Sequence, residues 1–242
     1  MAILTELREE QEQAITYDVF LSFRGKDTRL GFIDHLYQAL LNENISTFFD
    51  EHEVDTGEEL KPELAKAIKS SRASIIVLSK NYASSTWCLD ELVMILEQRK
   101  TSNHIVIPVF YNVEPTHVRK QESTFGDALF EHKRRMGTEK DEAKKIQGAC
   151  KLEMWTNGLT EVADLKGKDA NGRRETVFIE ELVMEIENKG TTKIQGLVLD
   201  MKMLEKEPLH GLSKVEEPEF ENNDPNMIFG IEAKASWVIE DS

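Results

Sequence analysis

Cysteine, positive charge and long apolar runs are scarce in this sequence, and each shortage argues against a class of protein. The 242 residues include only Cys88 and Cys150, too few for a disulfide framework or a clustered metal site. With 30 basic and 45 acidic residues, the formal charge of -15 argues against nucleic acid or an anionic membrane as partner. No apolar run reaches the roughly 18 residues of a membrane span, and the acidic N-terminus does not resemble a signal peptide. We therefore expect a soluble cytoplasmic protein, which could also be present in the nucleus.

The sequence does contain a regular alternation of strand and helix patterns. The apolar run Tyr17–Phe23 is typical of a strand covered on both faces, and a helical pattern follows, which Asp27 or Thr28 is placed to cap. Further strands are predicted, each followed by a helical pattern, at Ile45–Phe49, Ala73–Ser79 and Ile105–Tyr111. This alternation predicts right-handed crossovers, and hence a doubly wound α/β domain around a parallel sheet.

The two ends of the chain differ in composition from this alternating segment. Residues 1–16 are a polar leader, and the amphipathic stretch Val177–Ile186 is the last helix pattern before Gly190. From Asp200 onward acids outnumber bases, and few apolar residues remain to offset the entropy of ordering. We therefore predict a folded domain over residues 17–189 and a largely disordered acidic tail over residues 190–242.

The segments that follow the first and third strands are candidates for a ligand site. Ligands of open α/β sheets bind beyond the carboxyl ends of the strands, where the strand order reverses. If strands one and three are neighbours, the loop that begins with Arg24 borders the loop that begins with Lys80. We therefore expect a single pocket lined by Arg24, Gly25, Lys26, Trp87 and Glu91.

Trp87 and Glu91 are expected to face away from the protein core. They lie in the first turns of a predicted helix, four residues apart, and therefore on one helical face. The apolar stripe of that helix falls nearly opposite them, at about 100° per residue, and comprises Leu89, Leu92, Val93 and Leu96. This arrangement would leave an aromatic ring and a carboxylate available to a ligand.

Three long segments carry a resemblance to a known family. They are YDVFLSFRGKDTRLGF, LKPELAKAIKSSRASIIVLSKNYASSTWCLDELVMIL and IPVFYNVEPTHVRKQESTFGDAL. Together they resemble the TIR (Toll/interleukin-1 receptor) domain of plant immune receptors, over Tyr17–Lys189. The resemblance implies a flavodoxin-like, five-stranded parallel sheet, self-association, and in many members cleavage of NAD⁺ by a glutamate. That glutamate corresponds to Glu91, so NAD⁺ is expected as a substrate, with no cofactor and no metal.

Each candidate residue also has a structural interpretation. Glu91 could be an acid favoured by the dipole near a helix N-terminus, and Trp87 could be a partly buried structural ring. The segment Arg24–Asp27 contains a single glycine and is not a phosphate loop, so it could be an ordinary turn. In the functional interpretation Lys26 or Arg24 holds the diphosphate, and Trp87 stacks on the ring or excludes water.

Assembly between chains is also expected from the resemblance. In the family a histidine corresponding to His35 lies in a symmetric contact between helices, and we expect the acidic loop Glu51–Glu59 to take part in assembly. Asp34 stands where a small hydroxyl residue is common in the family, and Thr56 where arginine is common, and both positions bear on assembly. The phosphate-loop pattern is absent and no leucine-rich repeats follow Leu204, so we expect a truncated receptor product.

Two functions are left open by the sequence. One is an NAD⁺-cleaving enzyme whose products signal for defence and cell death. The other is a non-catalytic adaptor that joins other TIR domains and modulates full-length receptors. A phosphoacceptor receiver is disfavoured, because Arg24–Lys26 and Ser79–Lys80 stand where such a protein needs acidic residues.

Overall fold

Five parallel strands form one sheet in the order β2-β1-β3-β4-β5. The computed structural model describes residues 15–50, 62–102 and 104–204, with the backbone alone for residues 190–204. The strands are β1 Tyr17–Phe23, β2 Thr47–Phe48, β3 Ser71–Leu78, β4 Ile105–Phe110 and β5 Lys168–Asp169. The predicted doubly wound, flavodoxin-like sheet is confirmed, and β1 lies beside β3 as expected.

Helices cover both faces of this sheet. They are α1 Gly25–Thr28, α2 Asp34–Asn42, α3 Pro62–Lys69, α4 Thr86–Ser102, α5 Pro115–Arg119, α6 Ser123–Gly137, α7 Glu142–Asp164 and α8 Glu175–Leu204. A short 3-10 turn, Tyr82–Ser84, leads from β3 into α4. Among the residues with described placement, no helix is both long enough and apolar enough to cross a bilayer.

Two apolar clusters, one on each face of the sheet, form the core. Successive side chains of a strand point to opposite faces, so Phe20 of β1 packs with α4 and α7 while Val19 and Leu21 pack with α2 and α8. Residues 19–23 are all buried, as the continuous apolar run predicted. The same alternation turns Ser22 toward α4, and this orientation determines the chemistry of the site.

The helix predicted to begin at Asp27 or Thr28 is interrupted in the structure. After the four residues of α1, a wide turn spans Arg29–Ile33, and its Leu30 and Gly31 have non-helical backbone angles. A regular helix begins only at α2, and neither Asp27 nor Thr28 caps it through its side chain. The apolar spacing identified the helix but did not reveal the break near its start.

The predicted limits of the domain fall at places that the structure describes only in part. The helix α8 continues through Gly190 to Leu204, so secondary structure does not end at the predicted boundary. The chain divides into two units, residues 1–195 and 196–242, and only the helical backbone of residues 196–204 is described in the second. Outside the described residues lie 1–14, 51–61, 103 and 205–242. The second of these ranges contains the loop Glu51–Glu59 with its Thr56. The boundaries of the domain and its tail therefore stay predictions.

Candidate functional site

Asp27 joins the loop after β1 to the loop after β3. Its Oδ2 accepts hydrogen bonds from Ser79 Oγ at 2.6 Å and from the backbone N–H of Asn81 at 3.0 Å. Its Oδ1 accepts from Asn81 Nδ2 at 3.1 Å. The two loops therefore border one crevice at the carboxyl edge of the sheet, as the predicted strand order required.

We expect that Asp27→Asn lowers the free energy of unfolding by about 1–3 kcal/mol at neutral pH, because these donors lose a charged acceptor. Burial works to raise the pKa of Asp27, but the hydrogen bonds from Ser79 and Asn81 outweigh it and lower that pKa below its ordinary 3.8. The carboxylate therefore stabilises the fold above pH 3.8, and this contribution is lost as the pH falls through the folded-state pKa. Urea unfolding at neutral and acidic pH measures both effects.

The matched control is Asp127→Asn, the same change at an exposed position of α6. We expect this variant to stay within about 0.5 kcal/mol of wild type at every pH. An Asp27→Asn deficit that persists unchanged in strong acid would contradict the assignment.

An open groove of about 430 Å³ lies beside the loop after β1. Its described lining is formed by Gly25, Lys26, Asp27, Thr28, Arg29, Leu30, Gly31, Phe32 and Tyr111. Gly25 is buried, whereas Lys26 is an exposed residue of this lining. Arg24 is not part of this lining, because its side chain is mostly buried and its Nε lies 3.9 Å from Asp27 Oδ1.

Glu91 is buried, with 6% of its surface exposed. Its Oε2 lies 2.7 Å from Ser22 Oγ, on the face of β1 that packs against α4. The expectation that Glu91 faces away from the core is therefore wrong. The helix α4 packs against the sheet, α3, α7 and the 3-10 turn, and no residue from 87 to 96 is exposed.

Trp87 is likewise buried, with 9% of its surface exposed, and it belongs to the apolar cluster on the α4 face of the sheet. The single pocket expected from the sequence stays a prediction. Gly25 and Lys26 line the groove, whereas Arg24, Trp87 and Glu91 do not. Arg24 and Glu91 are nevertheless connected through β1. Glu91 contacts Ser22, which lies two residues before Arg24 in the chain, and Trp87 is on the same helix as Glu91.

Ser22 and Tyr82 are site residues that the sequence analysis missed. The Ser22 hydroxyl lies 2.9 Å from Tyr82 Oη, and Tyr82 Oη donates a hydrogen bond to the Cys88 carbonyl at 2.9 Å. Burial raises the pKa of Tyr82 well above its usual range. The one available signal was a serine within the otherwise apolar, buried run of residues 19–23.

Asp90, the neighbour of Glu91, has a structural role. Its Oδ1 accepts a hydrogen bond from Trp155 Nε1 at 2.8 Å, and its Oδ2 lies 3.0 Å from Lys151 Nζ. Both partners belong to α7, so Asp90 connects α4 to α7. Two adjacent acids on one helix therefore bind to different elements, Glu91 to β1 and Asp90 to α7.

The helix face predicted to take part in assembly is exposed. Asp34 is the exposed first residue of α2, and His35 Nδ1 lies 2.7 Å from Glu175 Oε1 of α8. The other oxygen of Glu175 accepts a hydrogen bond from Tyr111 Oη at 3.5 Å. The contact of His35 with a second chain stays a prediction.

Within the described segments, no three histidine, cysteine or acidic side chains are grouped as metal ligands would be. Cys88 is a buried free thiol and Cys150 an exposed one.

Comparison with known proteins identifies the family. The sequence pattern of the TIR domain matches residues 16–208. The chain is 52% identical over 152 residues to the disease resistance protein RPV1 of Vitis rotundifolia, covering 63% of this chain and 10% of that protein. It is 42% identical over 175 residues to TMV resistance protein N of Nicotiana glutinosa, covering 72% of this chain and 14% of that protein.

A solved structure supports the same assignment. The TIR domains of the activated Roq1 resistosome align with a TM-score of 0.62 at 42% identity, over 71% of this chain and 99% of the Roq1 chain. The chain spans only a small fraction of the length of the two resistance proteins it matches. Its fold, its sequence and this structural likeness agree, and the chain belongs to the TIR domain family, as a relative of the TIR domains of plant disease-resistance proteins.

Proposed function

We propose that this chain is an NAD⁺ nucleosidase of plant immune signalling, which cleaves the bond between nicotinamide and ribose when chains self-associate. Its products would serve as nucleotide signals for defence and cell death. The observation that carries the proposal is Glu91, whose carboxyl group is held by Ser22 Oγ at 2.7 Å near the carboxyl end of β1. This is the edge of the sheet where ligands of open α/β folds bind.

One carboxylate is sufficient for this reaction. Nicotinamide bonded to ribose is cationic and leaves as a neutral molecule, so its departure needs no general acid, unlike that of an ordinary sugar leaving group. An ionised Glu91 beside the ribose would stabilise the positive charge that develops at the anomeric carbon in the transition state. Water then adds to that carbon, and the products are nicotinamide, ADP-ribose and a proton.

The groove offers groups for the remainder of the substrate. Lys26 is an exposed residue of the groove lining, and its ammonium suits the diphosphate. Arg24, the residue before Gly25, adds positive charge near the groove, although its ion pair with Asp27 restrains its side chain. Trp87 is too buried to stack freely on a ring of the substrate. We therefore propose that it excludes water from the Glu91 carboxyl group.

Self-association is proposed as the step that opens the site. Glu91 is only 6% exposed, so the side chains around it must move before a ribose can reach it. The family relationship supports assembly, because the Roq1 TIR domains were solved within an activated resistosome. Binding of a neighbouring chain would supply the free energy for this rearrangement.

We expect specific activity to rise with protein concentration, and His35→Glu to lower both self-association and activity several-fold. The new carboxylate would lie beside Glu175, which now pairs with His35 at 2.7 Å, and would place like charges at the assembly face. Nicotinamide release and light scattering over a concentration series measure both quantities. The control is Thr101→Glu, which adds the same charge at an exposed position near the end of α4. A rate strictly proportional to concentration, at constant monomeric mass, would refute the role of assembly.

A non-catalytic adaptor is the second candidate function. It is favoured by the burial of Glu91, which a purely structural acid would also show. In that case the His35 face would join other TIR domains and modulate full-length receptors without any reaction. Incubation of the purified protein with NAD⁺ at high concentration and under crowding distinguishes the two, since the adaptor releases no nicotinamide.

A further inference from the structure

Four oxygen atoms form a continuous series of short contacts in the core beside β1, which we term the hydroxyl relay. It consists of the Glu91 carboxyl group, the Ser22 and Tyr82 hydroxyl groups and the Cys88 carbonyl group. Glu91 Oε2 lies 2.7 Å from Ser22 Oγ, which lies 2.9 Å from Tyr82 Oη, which lies 2.9 Å from the Cys88 carbonyl oxygen. Each distance is that of a hydrogen bond between oxygens.

Three separate two-centre hydrogen bonds require three hydrogens, and the two hydroxyl groups hold only two. A hydroxyl group has one hydrogen to donate, and a carbonyl oxygen has none. If Ser22 donates to Glu91 and Tyr82 donates to Cys88, no hydrogen lies between Ser22 and Tyr82. Two oxygens buried at 2.9 Å without a hydrogen between them repel each other, so this distribution does not explain the geometry.

Ionisation of Tyr82 does not resolve the shortage, because it would remove one more hydrogen. Burial holds the pKa of that hydroxyl well above its usual range, so the group keeps its proton. Of the described titratable groups, Tyr82 on the 3-10 turn interacts with both Glu91 and Cys88 of α4. Asp90 and Lys151 pair with each other on the α7 side of the helix, and Arg24 pairs with Asp27.

We propose that Glu91 supplies the third hydrogen, so that its carboxyl group is protonated in the resting protein and donates to Ser22. Ser22 then donates to Tyr82, and Tyr82 donates to the Cys88 carbonyl group, which satisfies every contact of the hydroxyl relay. A neutral acid is also far less costly to bury than a carboxylate. Ser22 and Tyr82 are thus positioning residues, which fix both the orientation and the protonation of Glu91.

This inference rests on the proposed function for its biological meaning. Entry of the cationic nicotinamide ring would favour ionisation of Glu91, and the proton would leave to solvent as the substrate binds. The resting protein would then hold the acid in an inactive form. The physical statement about the proton does not depend on any reaction and is tested without substrate.

Infrared difference spectroscopy of wild type against Glu91→Gln, at neutral pH and without substrate, tests the proposal. A protonated carboxyl group has a carbonyl stretch that a carboxylate lacks, and we expect that band in wild type. Tyr82→Phe removes the acceptor of Ser22, so Ser22 can donate to an ionised Glu91, and the band should lose most of its intensity. Tyr37→Phe, which removes a hydroxyl group from the half-buried Tyr37 of α2, should retain the band.

Ser22→Ala provides a second variant in case Tyr82→Phe does not fold. Without Ser22 Oγ the acid loses its acceptor, and the carboxyl band should shift to the frequency of a free acid. A wild-type spectrum that shows carboxylate alone would overturn the proposal, as would a band that neither variant changes. Nicotinamide is not measured, so this result stands whether or not the protein cleaves NAD⁺.

Discussion

Replacing Glu91 by glutamine is expected to lower nicotinamide release from NAD⁺ by about a thousandfold at equal protein concentration. The amide has nearly the size of the acid but cannot carry the negative charge that stabilises the transition state. A loss of about 4 kcal/mol in stabilisation corresponds to this factor, since each 1.36 kcal/mol is roughly tenfold in rate. The measurement compares the two proteins at several concentrations, with melting curves alongside.

The matched control is Glu97→Gln, the same exchange at an exposed acid of the same helix, which should keep wild-type activity. Asp90 does not serve this purpose, because its replacement would unpair Trp155 and Lys151. Normal melting together with a wild-type rate in Glu91→Gln would make Glu91 a structural acid. Truncation to alanine is less informative than glutamine, because the burial of Glu91 implies a stability loss of about 1–3 kcal/mol.

Trp155→Ala is expected to be the most destabilising of these substitutions, at about 3–5 kcal/mol. The ring is 1% exposed within the cluster between α4 and α7, packs against His132 at 5.3 Å between centroids, and donates to Asp90. Its loss creates a cavity and also leaves the Asp90 carboxylate with one partner fewer. Thermal unfolding should show a fall of roughly 10 °C in Tm for a domain of this size.

Met154→Ala, one residue earlier on α7, provides the comparison. Met154 is a large side chain on the exposed side of the helix, so its truncation should change stability by about 0.5 kcal/mol or less. Equal losses for the two variants would show that the cluster between α4 and α7 is not the packed core described here.

The parts of the fold that sequence reasoning predicted well are those with a strong local signal. Strands β1, β3 and β4 are each built around a run of apolar residues, and the structure places them within about two residues of the predicted limits. The two residues of β5, Lys168 and Asp169, have no apolar pattern, so a fifth strand was implied by the resemblance alone and was not located. A strand this short is defined by pairing with β4, which is a tertiary effect.

The site was predicted less completely, for a related reason. The period of a single helix tells which residues share a face, but not how many faces are covered by neighbours. The start of α4 is enclosed on several sides, so Glu91 is buried although it lies off the apolar stripe. The partnership of Ser22 with Tyr82 joins residues 60 positions apart, and no local pattern records such a contact.

Glu175 connects two surfaces that the proposed function treats separately. One of its oxygens pairs with His35 on the predicted assembly face, and the other accepts a hydrogen bond from Tyr111, which lines the groove. A contact that draws the carboxylate toward a neighbouring chain would therefore release the Tyr111 hydroxyl group at the groove. Thermodynamic linkage requires the reverse as well: a ligand that engages Tyr111 would alter the affinity between chains by the same factor. Ligand binding in the groove and association between chains would then belong to one linked equilibrium, so that measuring either would report on the other.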